Sequence, residues 1–490
     1  MKKIALISII ALVAFQGYSQ NMYDVLRYSN TSYNGTARFN GLSGAYGAIG
    51  ADFSSLSQNP AGIALYRKSE FTISPGFYSA LSKSDYYSNK SSDNKNNLVM
   101  GNLGMVFNLN LNENNDASIL KGLQFGFGMN RSNSFSRNIL VQGYNTKSSL
   151  LGSYADEANN GGSPLSVDGL DSYSTYLAYD ANLMVFDSTS SSNPWWVDMP
   201  NGKVQQSKSI EMTGSSREMV VSGGANFENK LYMGLSLCFP SIRYDETSTY
   251  VEEDINGLSP KTDPAFNFKS MTRHDQLKTR GNGFNLKFGV IYQPFDFLRL
   301  GGAFHSRTTY NLSDDYSSDI TGLFENGSEF KSKSPLGAFD YQITTPMRAM
   351  GSIALLFGRV GLLSADYEFV DYTSAKITSS DDPFFDVNDS IQSHLQSASN
   401  IRVGAEIKSG PFAFRAGVNS YGSPYKNETT LGARKGYSLG FGIREKEYSL
   451  DFSYNHMFMK DNMSLYNMAS AVSKNEYSSN QFEVTLGLRF

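Results

Sequence analysis

The chain has 490 residues, with 42 Lys+Arg against 46 Asp+Glu, a formal charge of −4, 30 Tyr, 33 Phe and one cysteine, Cys238. Its weak acidity gives no electrostatic case for nucleic acid. One cysteine excludes an internal disulfide and a cysteine-built zinc site.

Residues 1–19 read as a signal peptide. Met1-Lys2-Lys3 precedes the apolar run Ile4 to Phe15, and Gly17 and Ser19 are small residues before the expected cut. The run is too short to span a bilayer as a helix, and no later run approaches the roughly 20 apolar residues such a helix needs. Removing Lys2 and Lys3 takes the charge from 42 − 46 = −4 to 40 − 46 = −6. No cysteine stands near the cut, so a lipid anchor is not expected.

Residues 20–68 are expected to form a plug, or hatch. The run Gly35 to Tyr66 is rich in Gly, Ala and Ser, and Asp52 is the only ionisable group between Arg38 and Arg67. So many glycines make a poor helix and a poor strand, but such small side chains suit backbone packed tightly inside something else. In Asn59-Pro60-Ala61-Gly62, Pro60 presets a turn and Asn59 can cap it locally.

From Ser69 onward the spacing predicts about fourteen strands, near 69–80, 99–111, 121–136, 205–227, 230–250, 268–293, 297–312, 340–357, 359–375, 399–408, 411–419, 435–444, 447–459 and 478–490. Alternation is plain in the last, where Phe482, Val484, Leu486, Leu488 and Phe490 oppose Gln481, Glu483, Thr485, Gly487 and Arg489. Charges such as Lys287, Asp366, Glu368, Arg402, Glu406, Arg415 and Asp451 also fall on polar faces. A soluble sandwich alternates too, but here the links sort by length. Tight links near 228–229, 293–296, 358, 409–410 and 445–446 alternate with long polar ones near 81–98, 137–204, 251–267, 313–339, 376–398, 420–434 and 460–477; the link at 112–120 is of middling length. Short periplasmic turns alternating with long outer loops mark an outer-membrane barrel. The fold expected is all-β: a transmembrane antiparallel β-barrel of about fourteen strands, 69–490, around the 20–68 hatch. Both chain ends then fall on the periplasmic side. Strand 478–490 must pair with 69–80, since lipid cannot satisfy an open edge.

Gly41-Leu42-Ser43-Gly44-Ala45-Tyr46-Gly47-Ala48 followed by Ser57-Gln58-Asn59-Pro60-Ala61-Gly62 resembles the hatch of the OmpP1/FadL/TodX family of outer-membrane hydrophobic-compound transporters, in a form typical of Bacteroidetes. Gly283-Phe284-Asn285-Leu286-Lys287, Ser364-Ala365-Asp366-Tyr367-Glu368 and Arg402-Val403-Gly404-Ala405-Glu406 extend the resemblance over nearly the whole mature chain. It implies a monomeric barrel in the Gram-negative outer membrane with a hatch in its lumen, and a route from an outer groove to an internal pocket and a lateral opening. That opening arises from a kink in the third strand, here 121–136, where Gly122, Gly126 and Gly128 are candidates. Equally, these glycines would fit the hatch against the wall.

The longest loop, 137–204, is the candidate capture site, through Tyr176, Leu177, Leu183, Phe186, Trp195 and Trp196. Self-packing over the barrel mouth is the competing reading. For a cargo carboxylate, Arg67, Lys287 and Arg299 are candidates, against the plainer reading of lumen charges paired with acids. Gly44, Gly47 and Gly50 lack a dinucleotide-binding spacing, and His274, His305, His394 and His456 show no metal spacing. No cofactor, metal site or catalytic motif is expected. The function expected is passive uptake of hydrophobic molecules, long-chain fatty acids or similar, by a protein whose partners are that cargo and outer-membrane lipid. The alternative is a surface barrel acting as an adhesin or receptor through its long loops; an open porin for polar solutes fits a plugged lumen least.

Overall fold

The computed structural model describes residues 21–111, 118–200, 202–259, 267–426, 431–467 and 469–490. The signal peptide expected at 1–19 lies outside them, as do parts of the links at 112–120, 251–267 and 420–434.

The alternating segments close into one antiparallel cylinder of fourteen wall strands. Strands one to three are Glu70–Tyr86, Asn89–Asn110, and Leu120–Ser134 continued by Arg137–Asn145. Strands four to six are Val204–Phe227, Leu231–Glu253 and Phe268–Phe295. Strand seven is Leu298–His305 continued by Thr309–Phe324, and strand eight is Gly337–Thr344 continued by Arg348–Leu356. Strands nine to fourteen are Gly361–Asp371, Ser397–Ser409, Phe412–Tyr421, Arg434–Arg444, Tyr448–Ser464 and Val472–Arg489. Strand fourteen pairs with strand one from Glu70 opposite Arg489 to Asp85 opposite Lys474, so the ladder has no edge there.

Each strand turns its apolar face out. Phe482, Leu486 and Leu488 are exposed while Glu483 and Thr485 are buried; Leu363, Tyr367 and Phe369 are exposed while Ser364, Asp366 and Glu368 are buried. This is the inverse of a water-soluble protein and suits a wall bathed in lipid. Among the described residues no helix is long and apolar enough to cross a membrane.

Several links expected to be long are shorter than the sequence suggested. Strands one and two continue through 81–98 as a hairpin closed by Tyr87 and Ser88, both with positive φ. The 313–339 link holds the end of strand seven, the strand Glu329–Lys333 and the start of strand eight. Strands thirteen and fourteen likewise extend into 460–477. The reason is common to all three. Beyond the apolar belt a ladder stands in water on both faces, so it needs no apolar alternation, and its polar residues read as loop. The strands expected at 297–312 and 340–357 are each interrupted, at 306–308 and 345–347, where Pro346 has no N–H to offer a ladder.

Residues 21–66 bond to the wall from all sides. Ala37 N–H donates to Thr485 Oγ1 (2.7 Å), Ser43 Oγ meets Ser438 Oγ (2.7 Å), Tyr46 N–H donates to Asp366 (2.9 Å), Lys287 Nζ donates to Ser57 O (2.9 Å) and Asn130 Nδ2 donates to Ser57 Oγ (2.8 Å). Partners spread over strands fourteen, twelve, nine, six and three enclose this segment. Wall glycines receive it: Phe53 lies where Gly104 and Gly128 would carry a Cβ, and Pro60 where Gly234 would. The first described residues depart from the expectation that both chain ends lie at the turn end. Helix Met22–Ser29 packs Val25 and Leu26 in a cluster with Val387 and Ile391 of helix Phe385–His394, which belongs to an outer link.

Leu439 is exposed on the outer face, between Ala416 and Tyr454 of the neighbouring strands. Leu439→Arg should lower barrel stability by about 2–4 kcal/mol in urea unfolding from lipid vesicles. An unchanged midpoint would mean that this face does not meet lipid.

Candidate functional site

At strand three the wall loses its ladder to strand two beside the lumen segment. Strands two and three pair only from Asn102 opposite Asn130 to Asn110 opposite Gly122. Register slips at Arg131–Asn133, and the strand breaks at Phe135–Ser136. Past the break, Arg137–Asn145 follows strand four, Arg137 opposite Met212. It touches strand two through side chains: Asn89 Nδ2 donates to Gln142 O (2.8 Å) and Asn138 Nδ2 to Asn94 O (3.3 Å). Leu98, at this gap, is 86% exposed, so the gap reaches the apolar belt.

The bend is not centred on the glycines expected to make it. Gly126 and Gly128 lie in regular ladder, where a Cβ would meet Ile63 and Phe53 of the lumen segment; Gly122 adjoins a smaller slip at Leu120. The glycine that the bend requires is Gly214 on strand four, opposite the break. Its φ is +117° and Arg243 O leaves no room for a Cβ. The sequence marks it only as one of three glycines inside a long strand run.

The lumen segment is fastened to this break. Ser32 N–H donates to Ser132 O (2.8 Å), and Asn133 Nδ2 donates to Asn30 O (3.2 Å). Deeper, Asp366 accepts from the N–H groups of Tyr46 (2.9 Å) and Gly47 (3.1 Å) and from Gln58 Nε2 (2.8 Å). A Cβ at Gly47 would strike Ser352, which is why that position is glycine. In the Asn59-Pro60-Ala61-Gly62 element, Asn59 Oδ1 accepts from Ala61 N–H (3.1 Å) and Pro60 opens the 3-10 turn Pro60–Leu65. Asn59 Nδ2 also donates to Gly47 O (2.5 Å) and to Val290 O (3.3 Å), tying the turn to its own segment and to the wall. Burial pushes the Asp52 carboxyl up, against the hydrogen bonds from Thr36 Oγ1 and Ser54 N–H and the charge of Arg38.

Beside the break is a cavity of about 130 Å³. Ser32, Tyr33 and Asn34 line it from the lumen segment, Asn133 and Arg137 from strand three, and Tyr421, His456, Met457 and Tyr477 from strands eleven to fourteen. Arg137 stacks over Tyr477 at 4.0 Å, and Arg434 over Tyr421 at 4.5 Å.

The outer-loop candidates divide. Leu183, Phe186 and Trp196 line one groove of about 700 Å³ with Met184, Phe268 and Phe324. Leu177 and Trp195 are instead interior to the loop's own core, and Trp195 Nε1 donates to Leu165 O (2.8 Å). Tyr176 is exposed on helix Thr175–Asp180, outside the groove. The carboxylate candidates divide too. Lys287 is held by Glu218 at 2.6 and 2.7 Å and is occupied. Arg299 donates to Gln293 Oε1 (2.9 Å) and Ile49 O (2.9 Å), and lines a cavity together with the exposed Arg67. Among the described residues no three His, Cys, Asp or Glu side chains converge on a metal site.

No family model matches this chain, and no curated protein does. Solved structures do. A Pseudomonas aeruginosa FadL homologue aligns at TM-score 0.55 and 13% identity, over 94% of this chain and 99% of its own. The Pseudomonas putida toluene transporter TodX aligns at 0.55 and 12%, and the Ralstonia pickettii toluene transporter TbuX at 0.53 and 13%, each over 94% of this chain and 99% of its own. The chain therefore has the fold of the FadL-type outer-membrane barrels.

Asp366→Ala should loosen the Tyr46–Gly47 turn and leave Arg402 with one fewer carboxylate. The expected loss is on the order of 3 kcal/mol in denaturant unfolding, together with faster tryptic cleavage at Arg38 or Arg67. Unchanged cleavage and stability would show that Asp366 does not hold the segment.

Proposed function

We propose that this protein is an outer-membrane channel for passive uptake of hydrophobic molecules, long-chain fatty acids or similar, with residues 20–68 acting as its hatch. The observation that carries this reading is the interrupted ladder of strand three beside a lumen cavity, with the N-terminal segment bonded to the interruption. An intact wall would offer a hydrophobic solute no way out except through the wet, charged interior. A missing ladder lets it leave sideways without breaking backbone hydrogen bonds in lipid, the most costly step for any wall opening.

The route has three parts. The groove of Leu183, Phe186 and Trp196 takes the solute from the outside by apolar burial. The cavity bounded by Tyr33, Met457 and Tyr477 receives it. Displacement of residues 30–34 then removes the Ser32–Ser132 and Asn30–Asn133 bonds and enlarges the passage at the break. The fold of the toluene transporters and of the FadL homologue supports this reading, since a barrel of that kind serves hydrophobic solutes in those proteins.

Locking the segment to the break tests it. In a Ser32→Cys/Ser132→Cys double variant, oxidation should reduce uptake of labelled oleate to the empty-vector level, and reductant should restore it. Cys238 is buried and should not interfere. Trp196→Ala combined with Leu183→Asp should lower uptake by roughly tenfold, equivalent to about 1.4 kcal/mol of capture. Wild-type uptake no greater than vector, or uptake unaffected by the oxidised lock, would sink the proposal.

A further inference from the structure

A second cavity, of about 490 Å³, lies at the turn end of the lumen, across the N-terminal segment from the strand-three break. Residues 49–51 and 64–67 cover it, and the turn ends of the wall strands form its sides. Six cations line it: Arg38, Arg67, Lys121, Arg299, Lys408 and Arg444. No Asp or Glu does, among the described residues.

The carboxylates near Arg38, Lys408 and Arg444 are shared or already engaged. Arg38 and Lys408 share Glu406, which Arg415 also holds at 2.6 Å. Glu70 is engaged by Arg489, and Asp451 by Arg415. Arg299 is half-buried and spends its hydrogen bonds on two neutral acceptors. Beyond burial, the like charges of Arg67 and Arg38 act on Arg299, and those of Arg38 and Arg489 on Arg444, where Asp451 and Glu70 act in the opposite sense. A guanidinium cannot shed its proton to relieve this, and charge partly removed from water demands a counter-ion. The same cavity has an apolar side, made by Ile49, Leu65, Leu356 and Leu362.

We propose that this turn-end vestibule is an oxyanion site, in which the guanidinium groups of its lining, Arg299 and Arg444 among them, take a carboxylate or phosphate group. The anion arrives either free or as the head of an amphiphile whose tail lies on the apolar side. Planar guanidinium groups fit such oxyanions in paired hydrogen bonds. The site requires neither the capture groove nor an open wall, so it stands or falls separately from the uptake route.

The test uses the purified mature chain in neutral detergent, with equilibrium dialysis against labelled inorganic phosphate, labelled dodecanoate and labelled dodecanol. Wild type should bind at least one of the two anions, and added sodium chloride should weaken that binding. Arg299→Gln/Arg444→Gln should weaken it by about tenfold or more and leave dodecanol binding unchanged. Heat-modifiable migration on gels checks that the variant is folded. Arg67→Gln, at an exposed position, should give a smaller loss in the same direction without touching the wall. Phosphate bound as tightly as dodecanoate identifies a free-anion site, and dodecanoate alone identifies a head-group site. Wild type that binds neither anion, or folded variants that bind both as wild type does, would overturn the proposal. Oleate uptake that fails while the double variant still loses anion binding would refute the uptake route and leave this site standing.

Discussion

Lipid outside a closed wall forces every polar side chain of that wall inward, and inward charge must then find partners in a narrow space. The lumen is organised around this demand. Arg348, Glu368, Arg402 and Asp366 form one buried chain of ion pairs; Arg38, Glu406, Arg415 and Asp451 form another. The N-terminal segment is a member of both, through Arg38 and through the N–H groups of Tyr46 and Gly47. It is held by apolar burial of side chains such as Phe39, Leu42, Phe53 and Ile63, and by supplying donors and a cation to carboxylates that would otherwise be desolvated and alone. The wall complements it in shape as well, with glycines standing where Phe53, Ile63 and Pro60 approach.

What was legible in the amino-acid order follows from the same demand. Within the apolar belt each strand must alternate, so Phe482 to Phe490 and Leu363 to Phe369 announce the wall directly. Outside the belt that requirement lapses. The hairpin through Tyr87 and Ser88 is rich in Ser, Asn, Asp and Lys, and the extension of strand seven opens with Asp314-Asp315-Tyr316-Ser317-Ser318-Asp319, so both read as loop. The small-sided run from Gly35 to Tyr66 stands out because so long a stretch carries only Arg38 and Asp52 as charges and keeps no period. Its path is not legible, because Met22–Ser29 turns toward the loop end to bury Val25 and Leu26, a destination set by Val387 and Ile391 far along the chain.

The site was legible only in part, and for local reasons. Trp195 and Trp196 are adjacent and chemically identical. Yet one fills the loop core, with its indole N–H bonded to Leu165 O, and the other lines a groove. In a two-residue strand, successive side chains point to opposite sides, and sequence cannot say which side is inside. The resemblance places a wall bend on strand three, but Gly126 and Gly128 there make room for Ile63 and Phe53. The bend is accommodated by the neighbour, at Gly214, whose positive φ has no signature beyond its being glycine.

The N-terminal segment also joins two regions that share no wall residue. Asn30 and Ser32 hold the strand-three break; residues 49–51 and 64–67 cover the basic vestibule. Between them run the bonds to Asp366 and the capped turn at Asn59, which ties itself to Gly47 O and Val290 O. A displacement at one end therefore meets a fixed, hydrogen-bonded centre before it reaches the other. Residues 30–34 line open space and are held there by hydrogen bonds from Asn133, Tyr372 and Arg434 and to Ser132 O, whereas residues 44–62 sit in glycine-lined contact with the wall. On the proposed reading, that division lets the upper part yield to a solute while the lower part keeps the lumen closed to water.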